Sequence, residues 1–290
     1  MSAALSVRVA LTSLCLALPA AAWAQGSARL LAAEQQWDDQ VGIDQRIIGG
    51  TPVRIADNPW QVGILAARVP SNQVAQFCGG SIIAARWVVT AAHCVDKGTL
   101  PERIHILAGT DSLQTGGTRL AASRIIVHES WDPATSNFDI ALIEVASDLI
   151  ATIVGGAVVA GDTSAAEQPT TLQVRVTGWG RTSKSTQIGS KTLQGIEIPY
   201  VARATCNRPP SYDGSITDNM ICAGVATGGV DSCQGDSGGP ATAVVDGTRR
   251  LVGIVSWGQG CALRNKYGVY TNVSKFRTWV SDKTAGTVTW

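Results

Sequence analysis

Short runs rich in Val, Ile and Leu recur along most of this chain, each bounded by residues that favour turns. The clearest occupy positions 61–66, 81–89, 103–108, 124–127, 140–145, 172–177, 251–257 and 267–273. Such runs between Gly, Pro, Asn, Asp and Ser predict β-strands. Their regular spacing predicts a sandwich or a barrel. Only 274–282 has helical periodicity, with Ser274 placed to cap its N-terminus and Phe276, Trp279 and Val280 on one face. No internal repeat is visible. The pattern is all-β with a C-terminal helix.

The N-terminal residues break the pattern. Met1 to Ala24 holds a single Arg, an apolar stretch from Val9 to Ala22, and Ala22-Trp23-Ala24 as an A-x-A cleavage site. That combination predicts a secretory signal peptide over 1–24 and an exported protein, periplasmic or extracellular. No later segment reads as a membrane anchor. Residues 25–46 are polar and acidic and end in Asp44-Gln45-Arg46, after which the chain turns abruptly apolar at Ile47-Ile48. Taken alone, that segment is a linker. By length, residues 47–290 make one or two domains.

Composition narrows the chemistry. The chain has seven Cys, of which Cys15 falls inside the signal, leaving six in an oxidising compartment. Six thiols predict three bridges, with fifteen connectivities open on spacing alone. A metal site fits poorly, because no C-x-x-C occurs and there are only three His. Residues 1–46 carry three Arg and four Asp or Glu, so 20 basic and 18 acidic residues remain. That near-balance gives no sign of a nucleic-acid partner.

The most informative stretch is Asp231-Ser232-Cys233-Gln234-Gly235-Asp236-Ser237-Gly238-Gly239-Pro240. Glycines on both sides of Ser237 permit backbone angles that a Cβ forbids, so a turn there can aim a hydroxyl and neighbouring N–H groups at one point. A serine hydroxyl needs a base and an orienting acid to become a nucleophile. Thr90-Ala91-Ala92-His93-Cys94 offers the base, and Asn137-Phe138-Asp139-Ile140-Ala141-Leu142 offers the acid. His105 and His128 lack such companions and are assigned no role.

The order His, Asp, Ser in these three settings resembles the trypsin/chymotrypsin family of serine endopeptidases, from Ile47 to about Trp279. The resemblance implies two six-stranded antiparallel Greek-key β-barrels with a C-terminal helix and the active site in the cleft between them. It places the crossing between barrels near 151–171. It implies a signal peptide over 1–24, an activation propeptide over 25–46 and a peptidase domain over 47–290. Catalysis would use His93, Asp139 and Ser237, with the N–H groups of Gly235 and Ser237 as oxyanion hole. Ser256 would hydrogen-bond the buried Asp139. The bridges would be Cys78–Cys94, Cys206–Cys222 and Cys233–Cys261. Cleavage after Arg46 would free Ile47 to pair with Asp236.

The same resemblance sets specificity. By it, Asp231 would lie at the base of the primary pocket and select Lys or Arg. Gly258 and Gly268 would line its walls, Ser232 would sit near the charged head, and the backbone of Ser256, Trp257 and Gly258 would pair with substrate as an added strand. The resemblance implies protein or peptide substrates with Lys or Arg, protein inhibitors as further partners, and a monomer without cofactor. The loop 109–119 has a single acid, so no calcium site is expected. Tyr267 stands where digestive trypsins carry proline, a replacement that accompanies sodium responsiveness in the family and equally suits packing of the pocket wall. Asn272-Val273-Ser274 forms an N-x-S sequon at the helix entry. Two rivals remain: a catalytically dead homologue acting as a binding module, and a peptidase with another pocket preference. Loss of a triad residue would mark the first and loss of Asp231 the second; neither is lost.

Overall fold

A computed structural model describes residues 50–149, 172–180, 189–232 and 235–288. Its thirteen strands are β1 Thr51–Pro52, β2 Gln61–Ala66, β3 Gln76–Ala84, β4 Trp87–Thr90, β5 Ile104–Ala108, β6 Thr118–Val127, β7 Ala141–Val145, β8 Gln173–Gly178, β9 Gln194–Val201, β10 Met220–Ala223, β11 Pro240–Val245, β12 Thr248–Trp257 and β13 Gly268–Asn272. Strands β2-β3-β4-β7-β6-β5 close into one antiparallel barrel through the β2–β5 pairing. Strands β9-β10-β13-β12-β11-β8 close into a second through β8–β9, with β1 added on β9. The expected pair of six-stranded barrels is therefore present. The crossing falls between Val145 and Gln173; residues 150–171 lie outside those described.

Most apolar runs were legible because many strands are buried on two faces. In β4, Val88 points into the first barrel while Trp87 and Val89 face the gap between barrels. In β7, Ala141, Ile143 and Val145 face inward and Leu142 faces the gap. A strand covered on both sides reads as a continuous apolar run. That continuity hid a turn: the single strand expected over 81–89 is the end of β3 and all of β4, joined at Ala85-Arg86. Strands β9, β10 and β11 gave no clear run. They carry Gly195 and Pro199, only four residues, and Pro240 with two Ala, respectively.

Among the described residues there are three short α-helices, α1 Asn72–Ala75, α2 Arg203–Cys206 and α3 Arg277–Lys283. The C-terminal helix opens with a 3-10 turn over Val273–Phe276. Its cap is Asn272 and not Ser274: the Asn272 Oδ1 accepts from the Ser274 N–H at 3.3 Å and from the Ser274 hydroxyl at 2.8 Å. Asn272 is buried, so the sequon is used by the fold as a cap. Phe276 and Val280 then fill the gap between barrels, beside Leu142, Leu251 and Ile254. His128 closes that end, with its ring centroid 4.9 Å from those of Phe138 and Trp279.

Disulfides join Cys78 to Cys94 and Cys206 to Cys222, as expected. Cys261 is buried, and its expected partner Cys233 lies outside the described residues. In the loop expected to lack calcium, the Thr110 hydroxyl donates to the Thr115 carbonyl at 2.9 Å and accepts from the Ser112 N–H at 2.9 Å.

Because Phe276 is 2 % exposed and touches both barrels, Phe276→Ala is expected to lower unfolding stability by about 3–5 kcal/mol. Val244→Ala, at an exposed position, should change it by less than about 0.5 kcal/mol. Urea-unfolding midpoints of the two variants check this.

Candidate active site

Asp139 precedes β7 and is 1 % exposed. Its position is fixed by the chain before it: Phe138 adopts φ 57°, a left-handed conformation that bulky residues rarely take. The Asn137 Oδ1 anchors that turn by accepting from Thr217 Oγ1 at 3.0 Å and Asn219 Nδ2 at 2.9 Å. Asp139 then receives donors from both barrels. The His93 N–H bonds its Oδ1 at 3.0 Å, and His93 Nδ1 lies 2.8 Å from Oδ2. From the second barrel, Ser256 Oγ donates to Oδ2 at 2.5 Å and Thr271 Oγ1 donates to the Asp139 carbonyl at 2.6 Å.

Ser256 reaches the carboxylate because of an irregularity in the sheet. Val255 pairs with Tyr270 and Trp257 with Val269, which leaves Ser256 as the extra residue of a β-bulge. Bulges re-aim side chains in this way. His93 sits in a 3-10 turn over Ala92–Cys94, directly after β4. Since Asp139 is the acceptor at Nδ1, the proton resides there and Nε2 is left as the basic nitrogen.

Burial alone would lower the imidazole pKa, but the Asp139 charge and hydrogen bond, aided by Asp96, outweigh it and the net shift is upward. For Asp139, burial pushes upward, and the His93 charge, the hydrogen bonds from His93 and that from Ser256 hold it below the usual value. His105 and His128 are both lowered, chiefly by burial. Neither lies at this site. His105 accepts from Arg119 Nε at 2.9 Å, and His128 belongs to the aromatic cluster.

Ser237 is held against the first barrel by close backbone packing of two glycine-rich runs. The Gly79 N–H donates to the Ser237 carbonyl at 2.8 Å, and that carbonyl lies 3.7 Å from Cys94 Sγ. Gly238 has φ 76°, and a Cβ there would meet Thr90 Oγ1 at 2.1 Å. A Cβ on Gly79 would lie 3.0 Å from Gly239 Cα. The turn is completed by Gly239 N–H on the Asp236 carbonyl at 2.8 Å. Gly235 has φ 91°. The sulfurs of Cys78 and Cys94 also lie close to His93, but they are bonded to each other and so offer no thiolate to a metal.

Asp236 is fully buried, with its Oδ1 accepting from the Gly180 N–H at 2.8 Å. A Cβ at Gly178 or Gly180 would come within 2.1 Å or 2.3 Å of that carboxylate. Its expected partner Ile47, and Arg46, lie outside the described residues.

Three of the remaining predicted residues, Asp231, Ser232 and Gly268, meet at a third buried carboxylate. Asp231 is 3 % exposed, its Oδ1 bonded by the Ser232 N–H at 2.8 Å and its Oδ2 by the Ala262 N–H at 3.2 Å. Burial pushes its pKa up to about 7. Ser232 Oγ lies 3.4 Å from the Tyr270 hydroxyl. A Cβ on Gly268 would fall 2.9 Å from Asp231 Oδ1, whereas one on Gly258 would meet only ordinary contacts beyond 3.6 Å. A side chain at Gly268 would therefore crowd the Asp231 carboxylate. Trp257 packs edge-on against Tyr212, their centroids 4.9 Å apart.

A family described as Trypsin matches residues 47–280. The chain belongs to the trypsin family. It is a serine endopeptidase, a hydrolase. It is 39 % identical over 239 residues to "Trypsin Blo t 3" of Blomia tropicalis, covering 82 % of this chain and 85 % of that protein. It is 36 % identical over 244 residues to "Coagulation factor IX" of Cavia porcellus, covering 81 % of this chain and 80 % of that one.

Three members of this trypsin-family site escaped the sequence reading. Thr271 bonds Asp139 from 132 positions away. The Tyr212 hydroxyl donates to the Tyr267 carbonyl and accepts from the Gln259 N–H at 3.4 Å, tying together the two segments that carry Gly258 and Gly268. Gln76 reaches Gly235. None stands in a local motif, so only its contacts identify it.

The opposed shifts give a direct check. Proton NMR titration should resolve three imidazoles, with His93 above the ordinary 6.5 and His105 and His128 below it. Asp139→Asn should move only the His93 midpoint substantially, and downward, because the charge holding its proton is gone.

Proposed function

We propose that this protein is an exported, zymogen-type endopeptidase that cleaves after Lys or Arg through an acyl-enzyme on Ser237. The observation that carries the specificity is the buried Asp231 carboxylate beside Gly268, with Gly258 proposed as the opposite wall of the pocket. A buried carboxylate is stabilised by a cationic partner, and the space between two glycines suits a long aliphatic stem with a charged head. Ser232 adds a hydroxyl beside that head. The edge at Ser256, Trp257 and Gly258 would hold the substrate backbone as an added strand.

In the proposed reaction His93 Nε2 takes the proton of Ser237 Oγ as the oxygen attacks the scissile carbonyl. Asp139 keeps the imidazole in the required tautomer and stabilises its charged form. The N–H groups of Gly235 and Ser237 receive the developing oxyanion. His93 then protonates the leaving amine, which departs with the C-terminal fragment. Water, deprotonated by the same imidazole, releases the acid and regenerates Ser237. No cofactor enters these steps.

Export is supported by the apolar segment and A-x-A site within residues 1–24 and by two disulfides, which persist in oxidising compartments. Among the described residues, no helix is long and apolar enough to cross a membrane. Activation is supported by the Arg46-Ile47 junction and by the buried Asp236 carboxylate next to Ser237. The freed α-ammonium of Ile47 would pair with Asp236 and order Gly235. Substrates are then proteins with accessible Lys or Arg, and protein inhibitors would occupy the same cleft of the monomer.

Peptide-library profiling tests the specificity. Asp231→Ser should depress cleavage after Lys and Arg by roughly 10²–10³-fold, from loss of a charge pair worth about 2–5 kcal/mol, and spare apolar substrates. Ser237→Ala should lose turnover on both by orders of magnitude. Because burial raises Asp231 to about 7, benzamidine binding should strengthen as pH rises through that value and weaken about tenfold per unit below it. A neutral analogue should show no such dependence. An equal loss on both substrate classes in Asp231→Ser would refute the pocket assignment.

Activation is tested by Arg46→Gln beside Asp236→Asn. The first should remain intact and nearly inactive, and the second should be cleaved yet nearly inactive, since breaking a buried pair costs about 3–5 kcal/mol. Hydrolysis of an arginyl substrate at the mature rate by uncut Arg46→Gln would overturn the mechanism.

A further inference from the structure

Gly235 is held from an unexpected direction. Gln76 opens β3 in the first barrel, 159 positions earlier, and its Nε2 lies 2.7 Å from the Gly235 carbonyl and 3.0 Å from the Cys78 carbonyl. Both neighbours are acceptors only, so only the amide nitrogen can face them, and its two N–H groups are both used. The orientation of the side chain is thereby fixed.

Gly235 needs such a restraint. With φ 91°, and only 3.0 Å from where its Cβ would stand to Gly180 Cα, the position admits no other residue. Glycine also has the widest backbone freedom, so nothing intrinsic keeps its N–H in one direction. Gripping the carbonyl fixes ψ and, with φ, the orientation of the N–H.

The grip is mounted on a braced element. Arg119 binds the chain leading into Gln76, donating to the carbonyls of Ala66 at 2.8 Å and Val69 at 2.9 Å and to Asn72 Oδ1 at 3.4 Å. Gln73, in α1, donates to the Gly189 carbonyl at 3.3 Å. The first barrel thus clasps the segments flanking Gly235 through side-chain amides.

We infer that Gln76 is a positioning residue for the reaction: it holds Gly235 so that the N–H stays aimed at the developing oxyanion, and it does not itself touch substrate. This rests on the proposed oxyanion-hole role of Gly235. Its signature is a loss confined to the transition state, because the ground-state pocket around Asp231 is separate.

The test uses mature enzyme carrying Gln76→Met (same length, no donor), Gln76→Glu (acceptors only) or Gln76→Lys (donors restored). Loss of an oxyanion donor outright costs about 10²–10³-fold in kcat, which bounds the effect of misaiming it. Gln76→Met should lower kcat on an arginyl substrate about 10-fold, and Gln76→Glu further, because its carboxylate faces two carbonyls. Gln76→Lys should recover much of the loss. KM and the benzamidine inhibition constant should stay within about twofold, while affinity for an arginal peptide aldehyde falls in step with kcat/KM.

Unchanged kcat in Gln76→Met and Gln76→Glu would overturn the inference. So would benzamidine binding that weakens as much as kcat, which marks a general loosening of the site. Active wild type with either result refutes Gln76 alone. A wild type that neither cleaves the arginyl substrate nor binds the aldehyde would overturn the proposed function, and this inference with it.

Discussion

The buried carboxylate of Asp139 is the point on which this molecule turns. A carboxylate that is 1 % exposed is costly to desolvate, and three donors offset that cost, the His93 ring and N–H and the Ser256 hydroxyl, while a fourth, the Thr271 hydroxyl, holds the backbone carbonyl of the same residue. Two come from the first barrel and two from the second. The charge therefore does what no local element could. It makes the relative placement of the barrels and the tautomer of His93 parts of one hydrogen-bonded unit.

Glycine does the complementary work wherever backbone must approach backbone. Gly79, Gly238 and Gly239 let the Ser237 turn sit against the first barrel, and Gly178 and Gly180 leave room for the Asp236 carboxylate. These contacts have no slack for a methyl group. Rigidity around Ser237 thus comes from the absence of side chains, and the remaining freedom of Gly235 is taken up by the Gln76 amide.

Two further buried carboxylates serve different ends. Asp236 receives a backbone N–H from Gly180 and sits next to the Ser237 turn. Asp231 accepts the backbone N–H groups of Ser232 and Ala262, yet burial raises its pKa to about 7. A buried carboxylate raised in this way gains from a cation, which is why Asp231 carries the proposed specificity. The contrast is with Asp139, whose carboxyl is lowered by the His93 charge and by hydrogen bonds from His93 and Ser256.

The runs around His93, Asp139 and Ser237 were legible because chemistry at each depends on immediate neighbours: a turn, a strand entry, flanking glycines. The order of the three, and the apolar runs of doubly covered strands such as β2 and β7, settled family and class. Strands β9, β10 and β11 were silent because Gly, Pro and Ala there acquire strand character only from their partners. Ser274 looked like a cap until Asn272, brought in by β13, proved to be one. Thr271, Tyr212 and Gln76 carry no local mark at all. Their bonds to Asp139, Tyr267 and Gly235 span 132, 55 and 159 positions, respectively. The sequence by itself determined which residues are chemically able to act and on what scaffold. Only the tertiary structure decided which side chains aim and restrain them, because a hydrogen bond of that span depends on how the barrels pack and leaves no pattern in the residues beside it.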